Sequence, residues 1–415
     1  MNIVVALHPE CIVEWLGVSR GGRRTALSDM VLVMAMTNGV MLEEIEQLTT
    51  TIAGHTARTV LETLQQRRLL QWRLVGEDGA VVAVASPLAA GVGWPCFDPP
   101  RGGALSRFAS VSVRSGTWIV ESGASRWEVE LDSSSMARLT DADPDLLAFL
   151  SPLGLLDDHD ESASLVRWEA LDLMFATRSS LDLAPEHIGA TFRFREVMGP
   201  TPFDQTAEFP GLAVSLPVPP PLPTVALGDL IDQRRSVFNF RDQPLPVELL
   251  SSLLWHTLRV TRLMSRDPAV KDSYDFAMKP VSSSGAMSAI DAWVMARDVS
   301  GLSTGTWWYN PLTHQLHQTS GRVVDQGLAS DPPATIILAT RHERLAWKYE
   351  RIAFNVALRD TGVLIHALQL TAAALGVGTC AQGAAANSDL AEVMGTDPLR
   401  RMPTGQLWVG LPATE

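Results

Sequence analysis

Cysteine is scarce in this sequence, and the cysteines present form no recognisable set. Among 415 residues there are three, Cys11, Cys96 and Cys380, far apart and in no CxxC or His/Cys spacing. Disulfide frameworks and structural zinc sites both require cysteines at close, patterned spacings. We therefore expect neither a disulfide framework nor a bound metal.

Long apolar runs and an N-terminal targeting signal are also missing. No stretch approaches the roughly 18 uninterrupted apolar residues that a membrane-spanning helix needs. The N-terminus MNIVVALHPECIVEW has no basic region and contains Glu10 and Glu14, unlike a signal peptide. The sequence therefore predicts a cytoplasmic protein that does not contact a membrane.

Positive charge is in deficit: 33 Lys and Arg stand against 46 Asp and Glu, a formal net charge of −13. Bulk nucleic-acid binding rests on neutralisation of phosphates by Lys and Arg, so we expect no nucleic-acid partner. The sequence also lacks a G-x-G-x-x-G and a Walker motif, which excludes the usual signatures of a Rossmann dinucleotide site and a P-loop.

The first part of the chain has the pattern of small winged-helix modules. SDMVLVMAMTNG, VMLEEIEQLT and HTARTVLETLQQRR have helical apolar spacing, and LLQWRLV and VVAVAS flank the turn GEDGA as a hairpin. We predict a winged-helix-like module over 1–95. A further β-rich stretch at 107–131, followed by the helical DPDLLAFLSPLGLLDD, predicts a second such module over 96–165.

A linker and an α+β domain follow. The linker, 166–224, contains the helical WEALDLMFATRSS and a proline-rich segment predicted to be extended. The domain, 225–415, is predicted to have a central antiparallel or mixed sheet flanked by helices. Its predicted strands are AIDAWVMARD, GTWWYNPLTHQLHQT, ATIILATR and QLWVGLP. Its predicted helices are PVELLSSLLWHTLRV and FNVALRDTGVLIHALQLTAAALG, and GVGTCAQG is predicted to be a glycine-rich loop.

Four short stretches of this domain have side chains suited to a ligand. RRS at 234–236 suits a phosphate, SSSG at 282–285 suits a polyol, and GVGTCAQG at 376–383 suits the edge of a flat ring. One of only three tyrosines, Tyr349, follows Lys348 just before the long apolar helix. Each stretch also has a structural explanation: a solvated helix end, a loop, a helix C-cap or a surface Lys-Tyr pair.

In this order, the stretches resemble the nitroreductase-like FMN fold. The resemblance is closest to its SagB-type dehydrogenase branch, which includes the azoline oxidases of thiazole- and oxazole-containing peptide biosynthesis. It covers roughly 225–415. The motifs that carry it are RRSVFNFRDQPLPVELLSSLLW, KPVSSSGAMSAIDAWVMARD, KYERIAFNVALRDTGVLIHALQL and QLWVGLP.

The resemblance implies a set of site residues. The implied FMN contacts are Arg234, Arg235 and Ser236 at the phosphate and ribityl chain, Ser283, Ser284 and Gly285 beside the flavin, and Gln382 and Gly383 at its reactive edge. Lys348 and Tyr349 match the catalytic Lys-Tyr pair. From spacing alone, and not from the resemblance, Arg351 is expected one helical turn beyond Lys348, because it follows three residues later. Three positions depart from the family pattern: Phe238 replaces a frequent Arg, Ser282 a Pro, and Trp293 a common Tyr.

The resemblance further implies an FMN-dependent dehydrogenase acting on azolines in a precursor peptide. Implied partners are a YcaO-type cyclodehydratase complex and a second copy of the chain in a homodimer. The N-terminal modules either bind a leader peptide by strand addition or only scaffold the dimer. Two other functions remain open: an NAD(P)H-dependent reductase of dehydroamino acids, nitro compounds or quinones, and a non-enzymatic flavin-sensing regulator.

Overall fold

The chain divides into two compact units, Met1–Gly189 and Ala190–Glu415. The computed structural model describes residues 1–9, 11–14, 17–20, 23–26, 36–37, 39–47, 51–52, 55–89, 91–97, 103–157, 164–179, 190–325, 331–383 and 388–413. In these ranges, no helix is long and apolar enough to cross a membrane.

Unit 1 consists mainly of antiparallel strands with short helices. Its strands are β1 (Asn2–Leu7), β2 (Ile12–Glu14), β3 (Gly17–Arg20), β4 (Arg23–Ala26), β5 (Val40–Met41), β6 (Thr51–Ile52), β7 (His55–Thr56), β8 (Leu70–Val75), β9 (Val81–Pro87), β10 (Ala109–Arg114), β11 (Thr117–Ser122) and β12 (Trp127–Leu131). Its helices are α1 (Leu42–Gln47), α2 (Ala57–Gln66), α3 (Ser133–Thr140), α4 (Pro144–Leu150) and α5 (Ala170–Arg178).

The predicted β8–β9 hairpin is confirmed, but it does not belong to a separate module. Seven strands form one sheet in the order β10-β11-β12-β9-β8-β1-β5. Strand β12 pairs with β9, so strands from the two predicted modules share one sheet and bury one common core. The hairpin therefore lies inside the sheet, with no edge available for strand addition. Among the described strands of this sheet, the long edge strand is β10, whose residues 110–114 are exposed. Of the first predicted helix, 28–39, most lies outside the described residues.

Unit 2 contains the second large sheet and the longest helix. Its strands are β13 (Ala213–Ser215), β14 (Leu245–Pro246), β15 (Arg262–Met264), β16 (Phe276–Met278), β17 (Ile290–Ala296), β18 (Val299–Ser300), β19 (Gly305–Asn310), β20 (Gln315–Ser320), β21 (Ala334–Arg341), β22 (Gly378–Gln382) and β23 (Arg401–Gly410). Its helices are α6 (Leu227–Gln233), α7 (Val247–Leu258), α8 (His342–Lys348), α9 (Ala353–Ala374) and α10 (Ser388–Met394).

The large sheet of unit 2 is antiparallel and covered on both faces. Its order is β13-β20-β19-β17-β21-β23-β22. Strand β17 is buried at every position, and alternate side chains point to opposite faces. Val294 packs with residues of α7 and α9, whereas Trp293 packs with residues of α10 and with Phe209. This layered α+β arrangement confirms the predicted fold class of the C-terminal domain.

Two segments of unit 2 differ from expectation. The predicted loop GVGTCAQG contains strand β22, which pairs with β23 from Gly378↔Gly410 to Gln382↔Gln406. The proline-rich segment is fastened to unit 2, because Ser251 Oγ donates to Pro217 O at 2.5 Å and β13 pairs with β20. The boundary between the compact units accordingly lies at 189/190, earlier than the predicted domain boundary at 224/225.

Candidate active site

Lys348 and Tyr349 lie where two helices meet. Helix α8 ends at Lys348, and the backbone N–H of Tyr349 donates to Leu345 O at 2.8 Å as the helix cap. Arg351 then adopts a left-handed conformation, φ 62°, before α9 begins at Ala353. Arg351 is therefore not one helical turn beyond Lys348, contrary to the expectation. Both Lys348 and Tyr349 are half-buried, so a ligand can reach them.

The ends of these two side chains meet at Gly285. A methyl group built on Gly285 would lie 2.6 Å from Lys348 Nζ and 2.8 Å from the Tyr349 hydroxyl. Gly285 also has φ +59°, a conformation that residues with a side chain rarely adopt. Glycine therefore suits this position, because it adopts the backbone conformation without strain and leaves the space that the amine and the hydroxyl occupy.

A third side chain, Tyr274, completes the cluster. Lys348 Nζ donates to the Tyr274 oxygen at 2.6 Å, and the Tyr274 hydroxyl donates to Gly285 O at 2.9 Å. Lys348 Nζ also lies 4.8 Å from the centre of the Tyr274 ring. Tyr274 carries no recognised motif, and the only signal for it in the sequence is that tyrosine is rare. Two of the three tyrosines thus meet at one lysine.

The serine turn, residues 283–285, is hydrogen-bonded to α9. The backbone N–H of Ser284 donates to the Asp360 carboxylate at 3.0 and 3.1 Å, and Ser284 Oγ donates at 2.9 Å. Ser283 Oγ accepts from the backbone N–H of Ser288 at 3.0 Å. Burial raises the pKa of Asp360, and the Ser284 hydrogen bonds oppose that rise. Asp360 was not predicted, because an aspartate within an apolar helix matches no motif.

Buried cations lie behind this turn. Arg344 donates to Met287 O at 2.8 Å and to Thr201 O at 2.6 Å. Arg341 donates to Ser288 O at 3.2 Å. Desolvation lowers the pKa of Arg344 to about 9, with repulsion from Arg341 adding to it. These bonds fix the backbone that follows Gly285, so the turn is held from both sides.

The arginine-serine stretch lies at the edge of the sheet. Ser236 forms a parallel bridge with Thr379 of β22, and the backbone N–H of Val237 donates to Thr379 O at 2.9 Å. Arg235 Nη1 donates to the carbonyls of Asp232 and Arg234 at 2.5 and 3.0 Å. Among the described residues, neither Arg234 nor Arg235 forms an ion pair, so both guanidiniums keep donors for an anion.

Gln382 and Gly383 follow on the same edge. Gln382 is the last residue of β22 and pairs with Gln406 of β23, and Gly383 is exposed. A methyl group on Gly383 would touch nothing within 4 Å. The loop edge implied by the resemblance is therefore the end of a strand, with open space beside it.

The predicted site residues thus fall into two groups. Lys348, Tyr349 and the serine turn through Gly285 lie together, whereas the arginine-serine stretch lies beside β22. Helix α9 contacts the serine turn, strand β22 and helix α6. This helix is the common support of both groups.

The sequence of the C-terminal domain matches one known family. Residues 231–411 match the Nitroreductase family. They form a nitroreductase-family domain. A provisionally named nitroreductase of Methanocaldococcus jannaschii is 27% identical over 198 residues, covering 45% of this chain and 94% of that protein. The family consists of flavin-dependent oxidoreductases, which fits the cluster of basic and hydroxyl side chains.

Two solved structures are similar at lower identity. A provisionally named nitroreductase of Ralstonia eutropha has 22% identity and a TM-score of 0.40, covering 52% of this chain and 96% of that chain. A chain of the E. coli microcin synthetase McbBCD complex, with truncated pro-MccB17 bound, has 16% identity and a TM-score of 0.34, covering 62% and 100%. At these identities and scores, neither likeness indicates an activity for this chain.

Proposed function

We propose that this nitroreductase-family chain is an FMN-dependent dehydrogenase that oxidises thiazolines or oxazolines in a peptide to thiazoles or oxazoles. The observation that carries the proposal is the convergence of Lys348 Nζ and the Tyr349 hydroxyl on Gly285. An amine and a hydroxyl on one exposed glycine turn are suited to removing a proton from a substrate that lies against a flat cofactor.

The side chains present suit FMN. Arg234 and Arg235 would bind its phosphate, because guanidinium donors match phosphate oxygens. Ser236, Ser283 and Ser284 would form hydrogen bonds with the hydroxyl groups of its ribityl chain. Gly285, Gln382 and Gly383 would adjoin its ring system. A residue with a side chain at position 285 would collide with the Lys348 amine, whereas glycine leaves the turn open to a flat ring.

The chemistry requires two hydrogens to leave the azoline ring. The flavin, when bound, supplies the acceptor for the hydride from Cβ. Either Lys348 or Tyr349 would act as the general base that removes the proton from Cα. The other would relay this proton or donate a hydrogen bond to the ring nitrogen. The product ring is aromatic, which makes the step favourable without NAD(P)H.

A homodimer would bring further surface to the site. Exposed apolar side chains lie on and just after α6, where Leu227, Ile231 and Phe238 are 64%, 52% and 63% exposed. Helix α9, which contacts α6, exposes Leu358 and Val363. A second copy of the chain would cover such a patch. We further propose that the substrate is a precursor peptide delivered by a YcaO-type cyclodehydratase complex.

The second candidate is an NAD(P)H-dependent reductase. The family description and the relative from Methanocaldococcus jannaschii favour it. Anaerobic mixing with NADPH separates the two activities, because a reductase would lose its flavin absorbance rapidly and a dehydrogenase of the proposed kind would not. Anaerobic mixing with an azoline peptide should bleach the flavin of the proposed dehydrogenase.

The first prediction tests the proposed activity. The purified FMN-loaded protein, incubated with a heterocyclised peptide, should remove two hydrogens per ring, detected by mass spectrometry. Lys348→Ala should abolish this loss with FMN still bound, and Tyr349→Phe should slow it by about 10²–10⁴-fold, the typical value of general acid–base catalysis. Full azole formation by Lys348→Ala would show that the base lies elsewhere.

A matched control separates these effects from damage to the fold. Tyr309→Phe removes the hydroxyl of another buried tyrosine, which belongs to strand β19. That hydroxyl lies 3.0 Å from His314 Nδ1. It should retain near-normal dehydrogenation. If wild-type protein leaves every azoline peptide unchanged but is bleached by NADPH, the reductase assignment replaces the proposed one.

A further inference from the structure

We infer that Tyr274 is a positioning residue that holds the amine of Lys348 in its reactive orientation. This inference rests on the proposed function and adds a residue from outside the Lys-Tyr pair. Tyr274 lies in the segment between β15 and β16, 74 residues before Lys348. It reaches Lys348 and Gly285 through one oxygen atom.

The two hydrogen bonds of Tyr274 have defined directions. Its hydroxyl proton is donated to Gly285 O at 2.9 Å, since a carbonyl can only accept. A lone pair of the same oxygen is therefore free to accept from Lys348 Nζ at 2.6 Å. Tyr274 thus joins the amine to the backbone of the glycine turn.

The ring of Tyr274 is held in place before any substrate binds. It is 4% exposed, stacks on Phe276 with ring centres 4.4 Å apart, and meets the edge of Trp347 at 6.2 Å. Burial raises the pKa of the Tyr274 hydroxyl, with the charge of Arg344 opposing that rise. The hydroxyl therefore keeps its proton and its bond to Gly285 O across the neutral pH range.

Nearby residues of unit 2 fix the segment that carries Tyr274. Arg195 pairs with Asp272 at 2.6 Å, and the Asp275 carboxylate accepts from the backbone N–H groups of Phe203 and Arg266, both at 2.8 Å. The acceptor for Lys348 is consequently part of a rigid frame. Preorganised acceptors of this kind stabilise charge as it forms, because no reorientation is required.

The proposed reaction gives this arrangement a role. The Cα–H bond of the azoline breaks, its proton forms a new N–H bond with the lone pair of the Lys348 nitrogen, and its electron pair becomes the Cα–Cβ double bond. FMN, when bound, would be the oxidant and would accept the Cβ hydrogen together with its electron pair as hydride. As Lys348 becomes an ammonium, the Tyr274 oxygen accepts from it, and the amine is kept beside Tyr349 and Gly285.

The second prediction concerns Tyr274→Phe, which keeps the ring contacts and removes only the hydroxyl. We expect kcat to fall by about 10- to 100-fold, the effect of losing one hydrogen bond to a charged group. FMN content and KM should be unchanged. The kinetic isotope effect of a Cα-deuterated azoline should increase, because proton removal becomes slower, whereas that of a Cβ-deuterated azoline should not. Tyr309→Phe is the matched control and should change neither isotope effect.

Lysine labelling provides a readout independent of turnover. The chain has three lysines, Lys271, Lys279 and Lys348, so mass spectrometry can follow the acetylation of each one. In FMN-loaded protein without substrate, Tyr274→Phe should raise the labelling rate of Lys348 several-fold, because the hydrogen bond that holds the amine against Tyr274 is lost and the amine is free to reach the reagent. Exposed Lys271 should label equally in every variant. Lys279, whose pKa burial lowers to about 8, would label faster only if the core around it opened.

The outcomes separate the inference from the proposed function. Unchanged Lys348 labelling in Tyr274→Phe, without a change at Lys279, overturns the inference whatever the substrate is. Faster labelling of Lys348 alone supports it, even if wild-type protein dehydrogenates no azoline peptide, and that failure would count against the proposed function only. Faster labelling of both Lys348 and Lys279 would mean a general loss of packing and would contradict a specific positioning role.

Discussion

At the scale of single residues, Asp360 anchors the turn that carries Gly285. Its carboxylate accepts from both the backbone N–H and the hydroxyl of Ser284, and it is only 7% exposed. Hydrogen bonds from polar groups to a charged acceptor are worth about 1.5–3 kcal/mol. Asp360 therefore determines where the turn before Gly285 lies relative to α9.

The third prediction follows from these bonds. Asp360→Ala should weaken FMN binding by about 10-fold or more, because the Ser284 donors lose their acceptor and the turn is released. Asp360→Asn should have a smaller effect, since its amide oxygen still accepts from Ser284. Flavin fluorescence titration of the apoprotein measures both dissociation constants. Equal affinity in all three proteins would show that the turn does not depend on Asp360.

At the scale of secondary-structure elements, the pairing of 236–240 with the sheet edge positions the arginine-serine stretch, residues 234–236. A methyl group on Gly378 would lie 2.9 Å from Val237 Cγ1, and one on Gly410 would lie 2.6 Å from Phe240 Cδ1. These two glycines of β22 and β23 allow the segment after Arg234 to approach the strands closely. Strand β22 thus supports the arginine-serine stretch, a role that a free loop could not perform.

The fourth prediction tests this close approach. Gly378→Ala should force Val237 away from β22 and weaken FMN binding by about 10-fold, because overpacking of this kind typically costs about 1–3 kcal/mol. Adding Val237→Ala should restore most of the affinity by making room for the methyl group. Gly321→Ala, where an added methyl group meets nothing within 4 Å, is the control and should bind FMN normally. If the double variant binds as weakly as Gly378→Ala, steric crowding is not the cause.

At the scale of the whole molecule, the segment that precedes the family match belongs physically to unit 2. Trp347 Nε1 donates to Met198 O at 2.9 Å, and Arg341 Nη1 donates to Phe203 O at 2.9 Å. The backbone N–H of Phe192 donates to Lys348 O at 3.2 Å. Residues 190–209 therefore satisfy buried donors next to the candidate active site.

The fifth prediction compares two fragments. Residues 190–415 should fold and bind FMN, since this unit has its own core. Residues 225–415 should be insoluble or bind no FMN, because Arg341, Arg344 and Trp347 would lose the carbonyl partners that lie in 198–203. Each unpaired buried donor costs about 1–3 kcal/mol. Thermal unfolding and flavin absorbance of the two fragments provide the test, and equal melting temperatures would contradict it.

Much of unit 2 could be predicted from local pattern. The apolar runs of β17 and β21 and the amphipathic spacing of α7 led to the correct elements, since burial on two faces or on one face leaves a readable periodicity. Strand β22 was missed because its glycines and small residues are typical of loops. It is a strand because β23 supplies its hydrogen-bond partners, and pairing overrides the low strand propensity of glycine.

The residues of the candidate site also fall into those that the sequence predicts and those that it does not. The sequence by itself determined the fold class and the candidates Arg234–Ser236, Ser283–Gly285 and Lys348–Tyr349, because each is a contiguous motif in a recognisable order. Only the tertiary structure brought Tyr274 and Asp360 to these residues, across 74 and 76 positions of the chain. Such hydrogen bonds depend on the path of the backbone through the whole unit, and no local pattern of residue types records that path.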